Sequence, residues 1–407
     1  MTAWSQLLAF GATQCTLMAL SSSAWAAETA FRDSDPVADH PAEGTPEVPF
    51  TEDTDELDSP TIDDSLESFD LLFEDFEVVV SASRSEQRLD QTSVPVSVIS
   101  KEQIRLSGAS EVPDLLFMVP GMDVFRLDNN RWSIGVRGLH QTFSDRTLFL
   151  VNGQNASSAI HGGVDFQRLP LFLEDIEQIE VVRGPGGGAW GANAFNGVVN
   201  VIEKSPTDTQ GVLLSYRIDE HGSQHSVFRV GIQDSEGFAA RFTGELTDVD
   251  SSGAFYTNDG SSFGPSVSND FNRNRKFGID TIFGEGSGTE IQFSLGHAHV
   301  ERGDAPFLNL QLGVDERIDY NNWSVKLDRE LDNDRRMTLQ WYGAHEDVNR
   351  PSMYRFSSID NTVEAQYELV PAENHEMTLG VVARFIQLDV ENELSTDSLT
   401  TGVSSEI

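Results

Sequence analysis

The sequence predicts two joined architectures. A compact α+β domain over 76–210 is followed, over 211–407, by an antiparallel array of about nine transmembrane β-barrel strands. Three observations carry this. Beyond Gly211 the helix signals vanish, and apolar and polar residues alternate in segments of about ten residues, the length a tilted membrane-spanning strand needs. The connections between those segments are short and long in turn. The charge also changes along the chain: 18 acidic residues against Arg32 alone over 28–77, 15 against 11 basic over 78–210, and 33 against 15 over 211–407.

The net charge of −39 excludes nucleic acid as a partner, because a phosphate backbone needs a Lys/Arg surface. The single cysteine, Cys15, excludes a disulfide framework, a Cys-based zinc site and a thiol nucleophile in the rest of the chain. Leu7 to Leu20 is apolar and Ala24-Trp25-Ala26 fits a signal-peptidase site, so 1–26 reads as a signal peptide, although no Lys or Arg precedes its apolar core. Residues 27–75 are acidic and Pro-spaced. They read as a disordered, self-repelling tether, with one short helix conceivable over Ser65–Phe73.

The α+β domain is expected to run through a strand at Val94–Ile99, helices at Lys101–Leu106 and Glu111–Phe117 with Ser110 as N-cap, and strands at Met122–Leu127, Trp132–Val136 and Thr147–Val151. A helical turn at Leu171–Asp175 and strands at Gln178–Val182 and Val198–Ile202 complete it. The nine later segments are Val212–Asp219, Gln224–Gln233, Phe238–Thr247, Arg273–Phe283, Thr289–Val300, Asn321–Arg329, Met337–Glu346, Asn361–Leu369 and Met377–Val390. Connections after the second, fourth, sixth and eighth are short. Those after the third (Asp248–Asn272), fifth (Glu301–Tyr320) and seventh (Asp347–Asp360) are long, and only the first, Glu220–Ser223, breaks the order. A soluble sandwich has no reason to sort its loops by parity, whereas an outer-membrane barrel does.

Glu177–Lys204 (EQIEVVRGPGGGAWGANAFNGVVNVIEK) resembles the plug signature of TonB-dependent outer-membrane receptors. Val78–Arg84, Ser107–Gly121, Ile134–Leu139 and Thr147–Gly153 resemble further plug pieces in the family's order. The likeness covers 76–210 closely and 211–390 by architecture. It implies a plug inside a barrel of about 22 strands. It also implies an extracellular small-molecule ligand such as an iron or cobalt chelate, outer-membrane lipid around the barrel, and a periplasmic TonB driven by ExbB/ExbD and the proton gradient. TonB would pair as an added strand with a box at Phe76, Glu77, Val78, Val79, Val80, Ser81 and Ala82, kept exposed by the tether. Arg137 and Arg183 match the family's two plug arginines, implying a latch onto barrel carboxylates. Ligand contacts are expected at plug apices: Asp128, Asn129, Asn130, Arg131, Gln154, Asn155 and His161.

Gly184–Ala189 also fits a dinucleotide G-x-G-x-x-A, but only Trp190–Gly197 separates it from the next strand, too few residues for a crossover helix. The glycines are instead expected to supply positive φ and close packing. His297 and His299 share one strand face and could hold a metal, though an interfacial position is the commoner use of such a pair, and His221 with His225 rates no higher. No metal site or cofactor is therefore expected. No catalytic motif is present, so an enzyme ranks last. A signal-transducing receptor ranks third, because 28–74 is too acidic and too poor in core residues for the extra domain. The 197 residues after Gln210 hold about nine strands, too few to close around a plug, so a fragment of a longer receptor is expected. The alternative is an exported plug-like binding module that does not transport.

Overall fold

The computed structural model describes residues 78–406 except 82–83, 86, 139–145, 160–161, 192–193, 220–221, 236, 252–253, 259–262, 268, 304–314, 333–334, 352–353, 373–374, 393–398 and 401–403. The expected signal peptide and tether lie outside the described residues, as do Phe76, Glu77, Ala82 and His161.

The plug begins with a small hairpin, β1 (Val78–Val79) and β2 (Gln87–Arg88). Strand β3 (Val96–Ser100) leads into α1 (Lys101–Ser107), where Ser100 and Gln103 form a reciprocal capping box and Gly108, at φ +71°, ends the helix in the left-handed region. Helix α2 (Val112–Leu116) is capped by Glu111, not by Ser110. The Asp114 carboxylate accepts from both the Ser110 and Glu111 N–H groups, and this moves the cap one residue on. The hairpin β4 (Met122–Arg126) and β5 (Trp132–Val136) follows. Next come β6 (Thr147–Val151), β7 (Gln154–Asn155), β8 (Ile176–Val182), the single-turn α3 (Gly187–Trp190) and β9 (Gly197–Glu203). The main plug sheet has the order β3-β8-β9-β6-β7, with β6 and β9 parallel. Ile179, Val181, Val198, Val199 and Val201 are buried, so β8 and β9 read as apolar runs rather than alternating strands.

Gly186 supplies close packing: a Cβ there would sit 2.7 Å from Val198 Cγ2. The positive φ expected of the cluster occurs only at Gly191, +81°, beyond the Gly184–Gly188 run.

The wall consists of β10 (Gly211–Ile218), β11 (Gln224–Gln233), β12 (Phe238–Val249), a separate hairpin β13 (Ala254–Asn258) with β14 (Phe263–Val267), then β15 (Asn272–Phe283), β16 (Thr289–Arg302), β17 (Glu316–Asp332), β18 (Arg335–Arg350), β19 (Tyr354–Ala372) and β20 (His375–Asn392). Nine long strands pair antiparallel in chain order, β12 with β15 and otherwise neighbour with neighbour, and the short β21 (Leu399–Thr400) and β22 (Ser404–Glu406) add to β20. Among the described residues the sheet is not closed. All nine expected segments are strands, but β17, β18, β19 and β20 run to 17, 16, 19 and 18 residues. The long connection expected at Asp347–Asp360 is mostly ladder, because Asp347–Arg350 pairs with Tyr354–Ser357. Apolar alternation marks only the lipid-facing band. Beyond it the backbone bonds continue while the outward residues turn polar: Arg317, Asp319 and Asn321 on β17 precede outward Trp323, Val325 and Leu327.

One hydrophobic core joins Leu115, Leu116, Phe149 and Ile179 of the plug to Val300, Ile318, Val348 and Phe356 of the wall. Gly278 and Gly296 pair across β15 and β16 and form a notch in the inner face. A Cβ on Gly278 would stand 2.9 Å from Phe172 Cε2, and one on Gly296 2.5 Å from Pro170 Cγ. Filling this notch should lift the plug from its seat. Gly296→Val is expected to cost about 1–3 kcal/mol by overpacking. Thermal unfolding and limited proteolysis of the folded protein measure it, and an unchanged melting midpoint would remove the notch as a seat.

The plug–wall contact as candidate functional site

The extended segment at the start of the plug is docked, contrary to the exposure expected of it. Val79 and Ser81 are buried, and only Val78 stands out, at 46% exposure. The Glu180 carboxylate, fully buried on β8, accepts from Val80 N–H at 3.0 Å and Ser81 N–H at 2.7 Å. Gln178 donates from Nε2 to Glu180 at 2.8 Å and to the Val78 carbonyl at 3.0 Å. Trp190 Nε1 donates to the Ser81 carbonyl at 2.8 Å. A buried carboxylate without donors would be costly, so the main-chain N–H groups and Glu180 satisfy one another. Just beyond, Arg84 stacks on Trp190 and pairs with Glu364 of β19 at 2.7 Å, while Gln366 donates to the Arg84 carbonyl.

Arg137 and Arg183 lie together, but neither makes an ion pair among the described residues. Arg137, at φ +56°, donates to the Arg183 carbonyl at 3.3 Å, and Arg183 donates to the Pro120 carbonyl at 3.1 Å. Other charges join plug to wall. Fully buried Asp175 accepts from Arg229 of β11 at 2.6 Å and from Thr243 of β12 at 2.6 Å, with Arg241 Nε at 3.5 Å. Arg241 reaches Asp280 at 2.8 Å and the Lys204 carbonyl at 2.9 Å. Toward the opposite, long-loop end, Arg168 meets Glu346 at 2.9 Å, and Arg302 lies between Asp165 at 2.8 Å and Glu316 at 2.7 Å. Burial alone would raise Asp165, but Arg302 and Arg168 hold it below the ordinary carboxylate value.

The first expected apex is the tip of the β4–β5 hairpin. Asp128 pairs with Arg131 at 2.5 Å. Asn130 is buried and donates to the carbonyls of Phe271 and Gly303, while the Asn129 N–H reaches Asp270. This tip is bound to the wall at the long-loop end. Gln154 and Asn155 are at no apex. They form β7 at the short-turn half, and both line a pocket against β15–β19 that opens to solvent.

Residues 88–198 match the family described as TonB-dependent Receptor Plug Domain. Over these residues the chain is similar to the plug of TonB-dependent receptors. The chain is 33% identical over 177 residues to the vitamin B12 transporter BtuB of Vibrio vulnificus, covering 40% of this chain and 28% of that protein. It is 35% identical over 126 residues to the same-named transporter of Photobacterium profundum, covering 31% and 20%. Its fold resembles the ferric yersiniabactin uptake receptor FyuA of Yersinia pestis, with TM-score 0.59, 14% identity, and 77% of this chain and 51% of that one covered. The siderophore receptor PiuA of Acinetobacter baumannii gives TM-score 0.56 and 15% identity, covering 75% and 47%. The chain thus matches under a third of the length of the curated transporters and about half of these solved receptors. The fold is a plug-like domain against an open, nine-stranded antiparallel sheet, similar to about half of these solved receptors.

The residues that tie the receptor plug to its wall were missed in the sequence, although a signal exists. Glu180 interrupts an apolar run on a strand buried on both sides, and Arg229 and Arg241 occupy inward positions of alternating strands, where an unpaired charge is costly. His297 and His299 face outward, bonded to Asn321 and Asp319 of β17, and no group of three metal-binding side chains occurs among the described residues.

Two outcomes follow. Asp175→Ala leaves Arg229 and Arg241 without their shared acceptor and is expected to cost about 3–5 kcal/mol. Trypsin nicking of the plug should rise while the wall stays intact in detergent. Glu111, which receives Gln167 at 2.8 Å and Trp132 at 3.4 Å, is pushed up to about 7 by burial, with nearby Asp114 adding to the rise and Arg126 opposing it. A carboxyl raised in the folded state stabilises fully below its unfolded value, and that contribution is lost as pH rises through about 7. Thermal midpoints across pH 4 to 8 should therefore fall in the wild type and run flatter in Glu111→Gln, the difference amounting to at most about 3 kcal/mol.

Proposed function

We propose that this chain is the plug and the adjoining wall of an outer-membrane receptor of a Gram-negative bacterium. It takes up a scarce chelate, a cobalamin or ferric siderophore, and TonB supplies the force through Phe76–Ala82, with ExbB/ExbD behind it. The observation that carries this reading is the docked Val78–Ser81 segment. It is extended, held through main-chain donors and carbonyls, and lies beside Arg84 at the short-turn end, the periplasmic end in this reading. An added strand recognises the same main-chain groups. Outward Val212, Leu214, Ile291, Phe293, Trp341 and Val381 suit lipid contact. The relatives at 33–36% identity bear the name vitamin B12 transporter, which makes a corrinoid the first substrate to test.

The test is uptake of labelled cyanocobalamin by cells that lack their own vitamin B12 transporter and carry the full-length protein, with labelled ferric siderophores as parallel substrates. TonB-dependent accumulation is expected. Val78→Pro, which removes an N–H from the exposed end of the segment, should lower accumulation at least about tenfold at equal membrane level. Equal accumulation with and without TonB would overturn the reading.

A further inference from the structure

The tip of the β4–β5 hairpin is braced from behind as well as from the wall. The last rung before the tip pairs Arg126 with Trp132, and beyond it the Leu127 N–H bonds the Arg131 carbonyl. Both residues of that rung approach one carboxylate, Glu111 at the start of α2. Trp132 Nε1 donates to Glu111 Oε2 at 3.4 Å, and Arg126 stands 3.8 Å from Oε1. The same Oε2 accepts from Gln167 at 2.8 Å, and Gln167 accepts in turn from Asn274 of β15 at 2.6 Å. One carboxyl group thus joins α2, the neck of the hairpin and, through Gln167, the wall. Its side chain is 18% exposed, and Gln167, Asn274 and Trp132 are buried around it.

We infer that Glu111 is a positioning residue for this hairpin, and that proton loss from its carboxyl group loosens the Arg126–Trp132 rung and the tip above it. The surrounding charges give the direction. Asp114, on the same helix, repels a second negative charge, while Arg126 on β4 and Lys276 on β15 attract one. Neither cation is seated to receive it. Lys276 pairs with Glu245 at 3.4 Å. Arg126 is beyond hydrogen-bond reach of Glu111, lies 5.1 Å over the Trp132 ring and has Nε 3.4 Å from the Asp128 carbonyl at the tip. Burial therefore dominates and holds the carboxyl up at about 7. Protonated, the group accepts from Gln167 and Trp132 without a buried charge. Ionised, it must gain water or draw Arg126 off Trp132 and the Asp128 carbonyl, and either change frees the tip. The brace is at full strength below the ordinary carboxylate value and is lost as pH rises through about 7. The tip then keeps its wall contacts, Asn129 to Asp270 and Asn130 to the Gly303 carbonyl.

Amide hydrogen exchange of the full-length folded protein in detergent, from pH 5 to pH 8, tests this. Each rate is divided by that of an unfolded peptide of the same sequence, so the chemical pH dependence of exchange cancels. Protection of residues 122–136 should fall at least about tenfold across that range in the wild type, while β3 and β8 keep theirs. Glu111→Gln retains an oxygen for Gln167 and Trp132 but cannot ionise, so its hairpin should stay protected at pH 8. Arg126→Gln removes the cation that opposes the rise, so the transition should move to higher pH. A hydrogen bond at Glu111 that only holds the fold would give no transition at all. A wild type flat from pH 5 to 8, an equal fall in Glu111→Gln, an equal fall in β3 and β8, or a transition that Arg126→Gln leaves in place overturns the inference. The measurement needs neither chelate nor TonB, so the transport reading can fail without changing its result.

Discussion

A carboxylate without water holds the molecule together. Asp175 is fully buried where the plug meets three wall strands, and it carries a charge that only Arg229, Arg241 and Thr243 satisfy. Removing two ions from water is repaid only when their geometry is good and their remaining donors are occupied. Here Arg241 turns its other nitrogens to Asp280 and to the Lys204 carbonyl. The Lys204 N–H bonds the Asp175 carbonyl, so β9 and the turn before β8 are locked to the same point. Nearby Glu203 is raised to about 7 by burial and by Asp280, which sets the limit on how much acid this corner tolerates.

The rest of the contact depends on that seat. With β11, β12 and β15 fixed, the notch at Gly278 and Gly296 receives Phe172 and Pro170, and the hydrophobic core continues into Val300 and Ile318. The opposite flank is joined through long side chains instead. Arg84, Arg168 and Arg302 span gaps that apolar packing leaves open. Arg168 and Glu346 are buried, so this pair too depends on good geometry and on the Ala156 carbonyl that Arg168 also reaches.

Much of the fold was legible in the sequence, for a physical reason. Lipid outside and a polar interior force a two-residue period, so nine alternating segments give nine strands. The strand ends were not legible, because the apolar alternation stops while the ladder continues through Asp319, Asp347 and Ser357. The plug elements were legible from caps and β-branched runs, although the helix begins one residue later than Ser110 implied, with Glu111 as N-cap and Asp114 bonding back to the Ser110 and Glu111 N–H groups. Contacts distant in sequence were illegible. Glu180 lies a hundred residues from Val80, and Glu364 still further from Arg84. Likewise nothing local shows that Asn130 donates to the carbonyls of Phe271 and Gly303.

The grip on Val78–Ser81 also fixes what can replace it. Glu180 binds main-chain N–H groups rather than side chains, and Trp190 and Gln178 bind carbonyls. A strand added along this segment needs those same groups, so docked and paired states compete for one set of donors and acceptors. An added strand bonds alternate residues along one edge, so it can take only part of what Glu180, Gln178 and Trp190 supply. What is not exchanged is the buried charge on Glu180, which loses both N–H donors and keeps Gln178 alone. In the proposed pairing, that carboxylate favours return of the segment to the plug, where the Arg84–Glu364 pair beside it also holds.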